Sequence, residues 1–192
     1  MKKLLLSMIL FIGGISSFSA NIVGNKYRVE GALGFISTKQ EDRNKNIRYG
    51  STSISILPEF KTQINKRIDI TFGPKVTVNI DFNHYTNRTK IRTSLILGGE
   101  VDFNYKIKDN IKVYTGIEIG TGVAIHIEYK HSSLMSNADS VNNNRSTLEL
   151  KRTELATVGK LSVGIKIKDK YNVGLYTGNT KGMIGLEAGY TF

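Results

Sequence analysis

From Arg67 to Phe82 the chain repeats with a period of two. Ile68, Ile70, Phe72, Pro74, Val76, Val78, Ile80 and Phe82 share one parity, and Asp69, Thr71, Gly73, Lys75, Thr77, Asn79 and Asp81 share the other. Successive side chains of a strand point to opposite faces, so this is the pattern of a strand that is apolar on one side and polar on the other. The next segment repeats it. Ile91, Thr93, Leu95, Leu97, Gly99, Val101, Phe103, Tyr105 and Ile107 alternate with Arg92, Ser94, Ile96, Gly98, Glu100, Asp102, Asn104 and Lys106. From Ile111 to Tyr129 every odd residue is Ile, Val, Thr or Tyr, and the even ones include Lys112, Tyr114, Glu118, His126 and Glu128. Runs of this length and period exclude a helical bundle.

The same template predicts eight strands: Lys26–Ser37, Thr52–Ile64, Arg67–Phe82, Lys90–Ile107, Ile111–Tyr129, Glu149–Ile167, Tyr171–Gly178 and Met183–Phe192. Asn65-Lys66, Lys108-Asp109-Asn110 and Lys168-Asp169-Lys170 are short connections with turn-forming residues. Between them fall longer polar loops at Thr38–Ser51, Asn83–Thr89 and His131–Leu148, and a short one at Asn179–Gly182. Pro58 and Pro74 lack the N–H a ladder needs, which predicts bulges or early strand ends at both. Before the strands, Met1-Lys2-Lys3, the apolar run Leu4–Ile15 and the small residues Ser16–Ala20 form a secretory signal peptide cleaved near Ser19 or Ala20. The apolar run is shorter than the roughly 20 residues of a spanning helix. The domain plan is therefore a signal peptide over 1–20 and one β-barrel domain over 21–192. Loss of Lys2 and Lys3 lowers the formal charge from +11 to +9.

Alternation alone does not say which face meets lipid, since a soluble up-and-down barrel shows the same period. Three features favour the membrane. The strands run past the usual five or six residues and suit a tilted crossing of about 9–11 residues. Tyr27, Phe60, Tyr105, Tyr171, Tyr190 and Phe192 lie on the apolar parity at the short-turn end, where an interfacial aromatic girdle belongs. The last strand, Ile184, Leu186, Ala188, Tyr190 and Phe192, is amphipathic to its terminal Phe. An ending in Tyr190-x-Phe192 resembles the signal by which outer-membrane barrels engage the barrel-assembly machinery. With the signal peptide and eight strands, the chain resembles the small OmpA/OmpX-like outer-membrane proteins. It departs from them at Glu187, where a glycine is frequent. The resemblance implies an all-β, eight-stranded antiparallel transmembrane barrel in a bacterial outer membrane. It also implies a structural or surface-interaction role, such as envelope integrity or adhesion, with outer-membrane lipid and lipopolysaccharide around it.

An eight-stranded barrel has room inside for side chains only. Lys75, Glu100, Glu118 and Lys160 fall at nearly one depth on strands three to six, and Arg28 and Glu30 of strand one are expected to face Glu187 of strand eight. Buried charges are costly unless paired, which predicts a charged plug rather than an open channel. Catalysis is weighed at His126, inward by parity with Glu128 nearby and Ser132 and Ser133 following. A lipid-A-modifying enzyme would need this His at a lipid-facing cleft, so it stands as an alternative, as does a narrow pore. The absence of Cys excludes disulfides, Cys-ligated metal and a thiol nucleophile. No cofactor or metal site is expected. The basic excess is spread over lumen, turns and loops rather than gathered on one face, which argues against nucleic acid. Lys39, Arg43, Lys45 and Arg48 in the first loop, with Arg88 in the second, are candidate contacts for lipopolysaccharide phosphates. An extracellular ligand bound through the loops and a monomeric state complete the expectations.

Overall fold

The computed structural model describes residues 22–35, 48–85, 88–130 and 148–192. Its elements are β1 (Ile22–Phe35), β2 (Arg48–Gln63), β3 (Ile68–Tyr85), β4 (Arg88–Lys108), β5 (Ile111–Lys130), β6 (Leu148–Ile167), β7 (Tyr171–Gly178) and β8 (Ile184–Thr191). Each strand pairs antiparallel with the next, and β1 closes on β8 from Arg28↔Thr191 to Phe35↔Ile184. Closure leaves the barrel without a free edge over the depth that β7 and β8 span. The proposed signal peptide and Lys39, Arg43, Lys45, Ser132 and Ser133 lie outside the described residues.

The alternation maps onto the two faces of the wall. Outward residues are apolar: Leu33, Phe35, Ile54, Leu97, Ile119, Leu155, Val173, Leu175 and Leu186 are all more than half exposed. Inward residues are mostly polar or charged, and Ser53, Asn79, Ser94, Glu100, Asn104, Lys160 and Asn172 are buried. This polarity is the reverse of a water-soluble barrel. Rings collect at the end of the three short turns, called here the turn end. Tyr171 packs on Tyr190 at 5.2 Å between centroids, Tyr190 on Phe192 at 6.3 Å, and Phe192 on Tyr27 at 6.1 Å. The backbone of Phe192 also exchanges hydrogen bonds with Tyr27, so the last residue is sewn to β1.

Three expectations need correction. Pro58 and Pro74 end neither strand and no register shift falls at either, the nearest irregularity being between Val23 and Lys26 of β1, opposite Phe60. The register is the same on both sides of them, Ile56↔Val76 and Phe60↔Phe72, which sets the two prolines opposite one another. Their missing donors coincide, so one interruption of one ladder serves both. The other ladders continue at Tyr27↔Pro58 and Pro74↔Gly99. Second, the connection expected over Asn83–Thr89 is largely strand, because β3 runs to Tyr85 and β4 starts at Arg88, paired as Tyr85↔Arg88. Third, Arg88, and likewise Arg48 paired with His84, therefore stand on strands rather than in loops. Cross-strand pairing outweighs the polar turn chemistry that marked those segments as loops.

The wall is uneven. β4, β5 and β6 have 21, 20 and 20 residues, whereas β7 and β8 have 8 each. β6 meets β7 only from Lys160↔Gly178 to Ile167↔Tyr171. One side of the barrel therefore stands well above the other at the loop end.

Strands cross closely where side chains are absent. A Cβ on Gly122 would run into the backbone of Leu95 and lie 2.7 Å from Ile96 Cα, whereas one on Gly31 would meet nothing within 4 Å. Gly122→Val is expected to cost about 2–3 kcal/mol, and Gly31→Ala less than about 0.5 kcal/mol. The midpoint of urea unfolding in detergent micelles, followed by the folded band on a gel, checks both.

Candidate functional site

The interior of the barrel is the site with chemistry, and its charges are layered along the axis. In the middle layer Glu100, Glu118 and Lys160 lie in direct register on β4, β5 and β6. Lys75 on β3 sits opposite Gly98, two residues from Glu100. Its ammonium reaches Glu30 at 2.6 Å, Glu100 at 2.5 Å and Glu118 at 3.1 Å. Lys160 reaches Glu187 at 2.5 Å, Glu118 at 3.1 Å and Glu100 at 3.2 Å. All of these side chains are at most 2% exposed.

Arg28 belongs to the same network but is placed differently from the expectation. It does not face Glu187. Its guanidinium crosses the lumen to Glu100 and to Asp102 at 2.7 Å, and also lies 3.3 Å from Glu59 on the neighbouring β2. The reason is register: Arg28 is paired with Thr191, and it is Ala32 that lies beside Glu187. Glu187 is taken instead by Lys160 and by the hydroxyl of Tyr114, which donates to Oε1 at 2.9 Å. The Tyr114 side chain lies over Gly164 and Gly174, where added Cβ atoms would come within 2.6 Å of its ring and 2.4 Å of its hydroxyl, so two glycines provide the bed that lets it cross the lumen.

Sequence reasoning missed further members. Asp102, Tyr114, Lys166 and Glu59 all lie on inward parity and were available from alternation. Lys166 donates to Asp102 at 2.9 Å and to Thr71 at 2.8 Å. Lys181 was not available in that way, because it lies in the β7–β8 turn. That turn folds into the mouth of the barrel. Lys181 is 1% exposed and pairs with Glu118 at 2.8 Å. Its carbonyl accepts from Tyr176 Oη at 2.6 Å and from Ser51 Oγ. Asn179 and Thr180 tie the turn to the backbone of Gly159 and Thr157.

At the turn end, Lys112 bridges Asp69 at 2.7 Å and Asp169 at 2.6 Å, and Lys61 reaches Asp169 at 2.8 Å. Asp169 belongs to the β6–β7 turn, where Lys168 and Asp169 hold φ of 54° and 52°. Partial burial pushes the Asp169 carboxyl up, but hydrogen bonds from Lys112 and Lys61 outweigh it and hold the group at about 2. Towards the loop end the middle layer is followed on β4 to β6 by an apolar cluster of Ile96, Ala124, Ala156 and Val158. Above it Arg92 bridges Asp81 and Glu154, both at 2.9 Å.

His126 stands in that outer layer with Nε2 2.9 Å from Glu154. It faces the lumen, not lipid, and its carboxylate partner among the described side chains is Glu154, the side chain of Glu128 lying outside them. The carboxylates of Glu30, Glu100 and Glu118 come close enough together to suggest a cation site. The ammonium groups of Lys75 and Lys160 already occupy the position a cation would take, so the donor set is satisfied by the chain itself.

No protein-family model and no curated protein matches the sequence. Among solved structures the chain is similar to Ail, the attachment invasion locus protein of Yersinia pestis. The identity is 11% and the TM-score 0.44, covering 88% of this chain and 99% of that one. It is also similar to the N-terminal β-barrel domain of Pseudomonas aeruginosa OprF, at 11% identity and TM-score 0.35, covering 88% and 98%. The translocator domain of the autotransporter NalP from Neisseria meningitidis gives 9% identity and TM-score 0.34, covering 97% and 95%. The class is defined by the molecule itself: a closed, eight-stranded antiparallel barrel, apolar outside and charged within. That is the architecture of the small OmpA/OmpX-like barrels which the sequence resembles.

Two outcomes follow from these contacts. Glu100→Gln and Glu118→Gln each remove a carboxylate charge that compensates buried ammonium groups and are expected to cost about 3–5 kcal/mol, lowering the melting temperature in micelles. An unchanged melting temperature in both would show the interior to be wet and screened. Asp169 has a depressed folded-state value, so its contribution is complete above pH 4 and is lost as pH falls towards 2. The stability difference between wild type and Asp169→Asn should therefore be constant near neutrality and shrink between pH 4 and 2 in denaturant titrations. Asn keeps the left-handed backbone accessible.

Proposed function

We propose that the protein is an integral outer-membrane barrel, exported by the leader at residues 1–20, with a structural or surface-interaction role and a lumen plugged by its own charges. The observation that carries this reading is the reversed polarity of the wall. An apolar exterior over a charged interior is stable only where the surroundings are hydrocarbon. A closed ladder meets the second requirement of that environment, since over the depth that β7 and β8 span it leaves no free strand edge towards lipid. The aromatic chain Tyr171–Tyr190–Phe192–Tyr27 supports placing the turn end at one interface. The tall side of β3 to β6 then stands above the other interface, as a surface for contact with lipopolysaccharide or an extracellular ligand. In this reading Lys39, Arg43, Lys45, Arg48 and Arg88 contribute the basic side chains nearest the outer headgroups.

The two alternatives receive less support. A lipid-modifying enzyme calls for His126 at a lipid-facing cleft, and the residue lies against Glu154 on the inner face. A pore calls for a continuous lumen, and the space between Arg28 and Lys181 is filled by paired side chains.

Outer-membrane fractionation with a gel run before and after boiling tests the proposal. The protein is expected in the outer-membrane fraction, with faster migration before boiling, and with no single-channel conductance in planar bilayers. A soluble periplasmic protein without the shift would overturn the membrane assignment. Conductance in a shifted sample would overturn the plug alone.

A further inference from the structure

One side of the turn-end rim carries a groove that the charge network does not use. Lys66 and Arg67 of the β2–β3 turn form one wall, and Lys106, Lys108 and Asp109 around the β4–β5 turn form the other. Tyr105 and Ile107 complete a cavity of about 720 Å3. The walls are fixed to each other. The N–H of Lys106 donates to the carbonyl of Arg67 at 2.7 Å, and Asn65 Oδ1 accepts from the N–H groups of Arg67 and Ile68 at 2.8 Å. Lys106 is paired with Asp109 at 2.8 Å. Among the described residues no ion pair involves Lys66, Arg67 or Lys108, and all three are exposed. Three uncompensated cations therefore converge on a preformed space. Tyr105 and Ile107 are on outward parity, 47% and 57% exposed, on the face that meets acyl chains.

Cations above and lipid-facing apolar side chains below are complementary to a molecule with the same division. We infer that this groove binds the phosphate headgroup of an anionic phospholipid in the leaflet at the turn end, with an acyl chain against Tyr105 and Ile107. Free phosphate has no use for the apolar part, and a polyanionic glycan would leave it uncovered. Attraction of Lys and Arg to an anionic headgroup is effective within about a Debye length, which the groove's position at the interface satisfies. The inference rests on the membrane reading above.

The test uses the full mature chain in nanodiscs containing phosphatidylglycerol and phosphatidylcholine, with retained lipid read by native mass spectrometry. Wild type is expected to retain phosphatidylglycerol in preference to phosphatidylcholine. Lys66→Gln, Arg67→Gln and Lys108→Gln together should lower that occupancy roughly tenfold. Lys108→Gln alone, outside the buried network, should give a partial loss. Lys26→Gln with Lys170→Gln, which removes two cations elsewhere on the same rim, should change occupancy less than about twofold. No preference in wild type, equal loss in both multiple variants, or displacement of the lipid by millimolar inorganic phosphate would overturn the inference. So would preferential binding of lipid-free protein to peptidoglycan sacculi. The unboiled gel shift on each sample separates the two levels. A shifted protein without lipid preference defeats this groove only, whereas an unshifted wild type defeats the membrane reading and the groove with it.

Discussion

Eight strands closed on themselves leave a space that side chains fill and little else enters, and into that space the sequence points charges of both signs. A buried ammonium or carboxylate is tolerable only beside its opposite, so the interior has to balance locally. In the middle layer Glu30, Glu100, Glu118 and Glu187 meet Arg28, Lys75, Lys160 and Lys181. Most members share several partners, while Lys181 pairs with Glu118 and Glu187 with Lys160. Lys75 and Lys160 each touch three or more carboxylates, and Arg28 of β1 reaches across the lumen to β4, three strands away. The network therefore also fixes which strands can be neighbours, because the ion pairs form only when the barrel is closed in this register. That coupling between electrostatics and closure is what allows a polar lumen in so narrow a barrel.

The short strand β7 has a special place in this scheme. The turns on both sides of it bend into the lumen instead of away from it. The β6–β7 turn sends Asp169 over the turn-end mouth to Lys61 and Lys112, and the β7–β8 turn sends Lys181 into the loop-end mouth to Glu118. One turn contributes an anion and the other a cation. The lowest part of the wall thus carries its own closures at both ends, and on β4 to β6 the apolar cluster of Ile96, Ala124, Ala156 and Val158 lies between the middle charges and those around Arg92.

Much of this architecture was readable because strand parity is a two-state property. Once one residue of β4 is assigned inward, Glu100, Asp102 and Asn104 follow, and the same rule placed Lys75, Glu118 and Lys160. Parity does not give depth across a closing seam, which depends on the shear of the whole barrel. That is why Arg28 was expected beside Glu187 and lies instead against Glu100 and Asp102. Nor does it speak for residues outside strands, so Lys181 was invisible to it. The prolines failed for a different reason. Their cost depends on the pair and not on either residue alone, and only the register Ile56↔Val76 shows that Pro58 and Pro74 share one gap. Arg48 and Arg88 sit in polar sequence that reads as loop, and cross-strand pairing carries β2, β3 and β4 further than composition implied.

The inward fold of the β7–β8 turn has a practical side. Small barrels are attractive scaffolds for displaying foreign peptides, and connections between strands are the usual points of insertion. Asn179, Thr180 and Lys181 are tied to Gly159, Thr157, Tyr176 and Glu118, so this connection behaves as part of the core despite its position at the rim. A peptide grafted there would have to evict a buried cation from the lumen. Sequence drift at that turn should be constrained for the same reason, as it would be at any packed interior position.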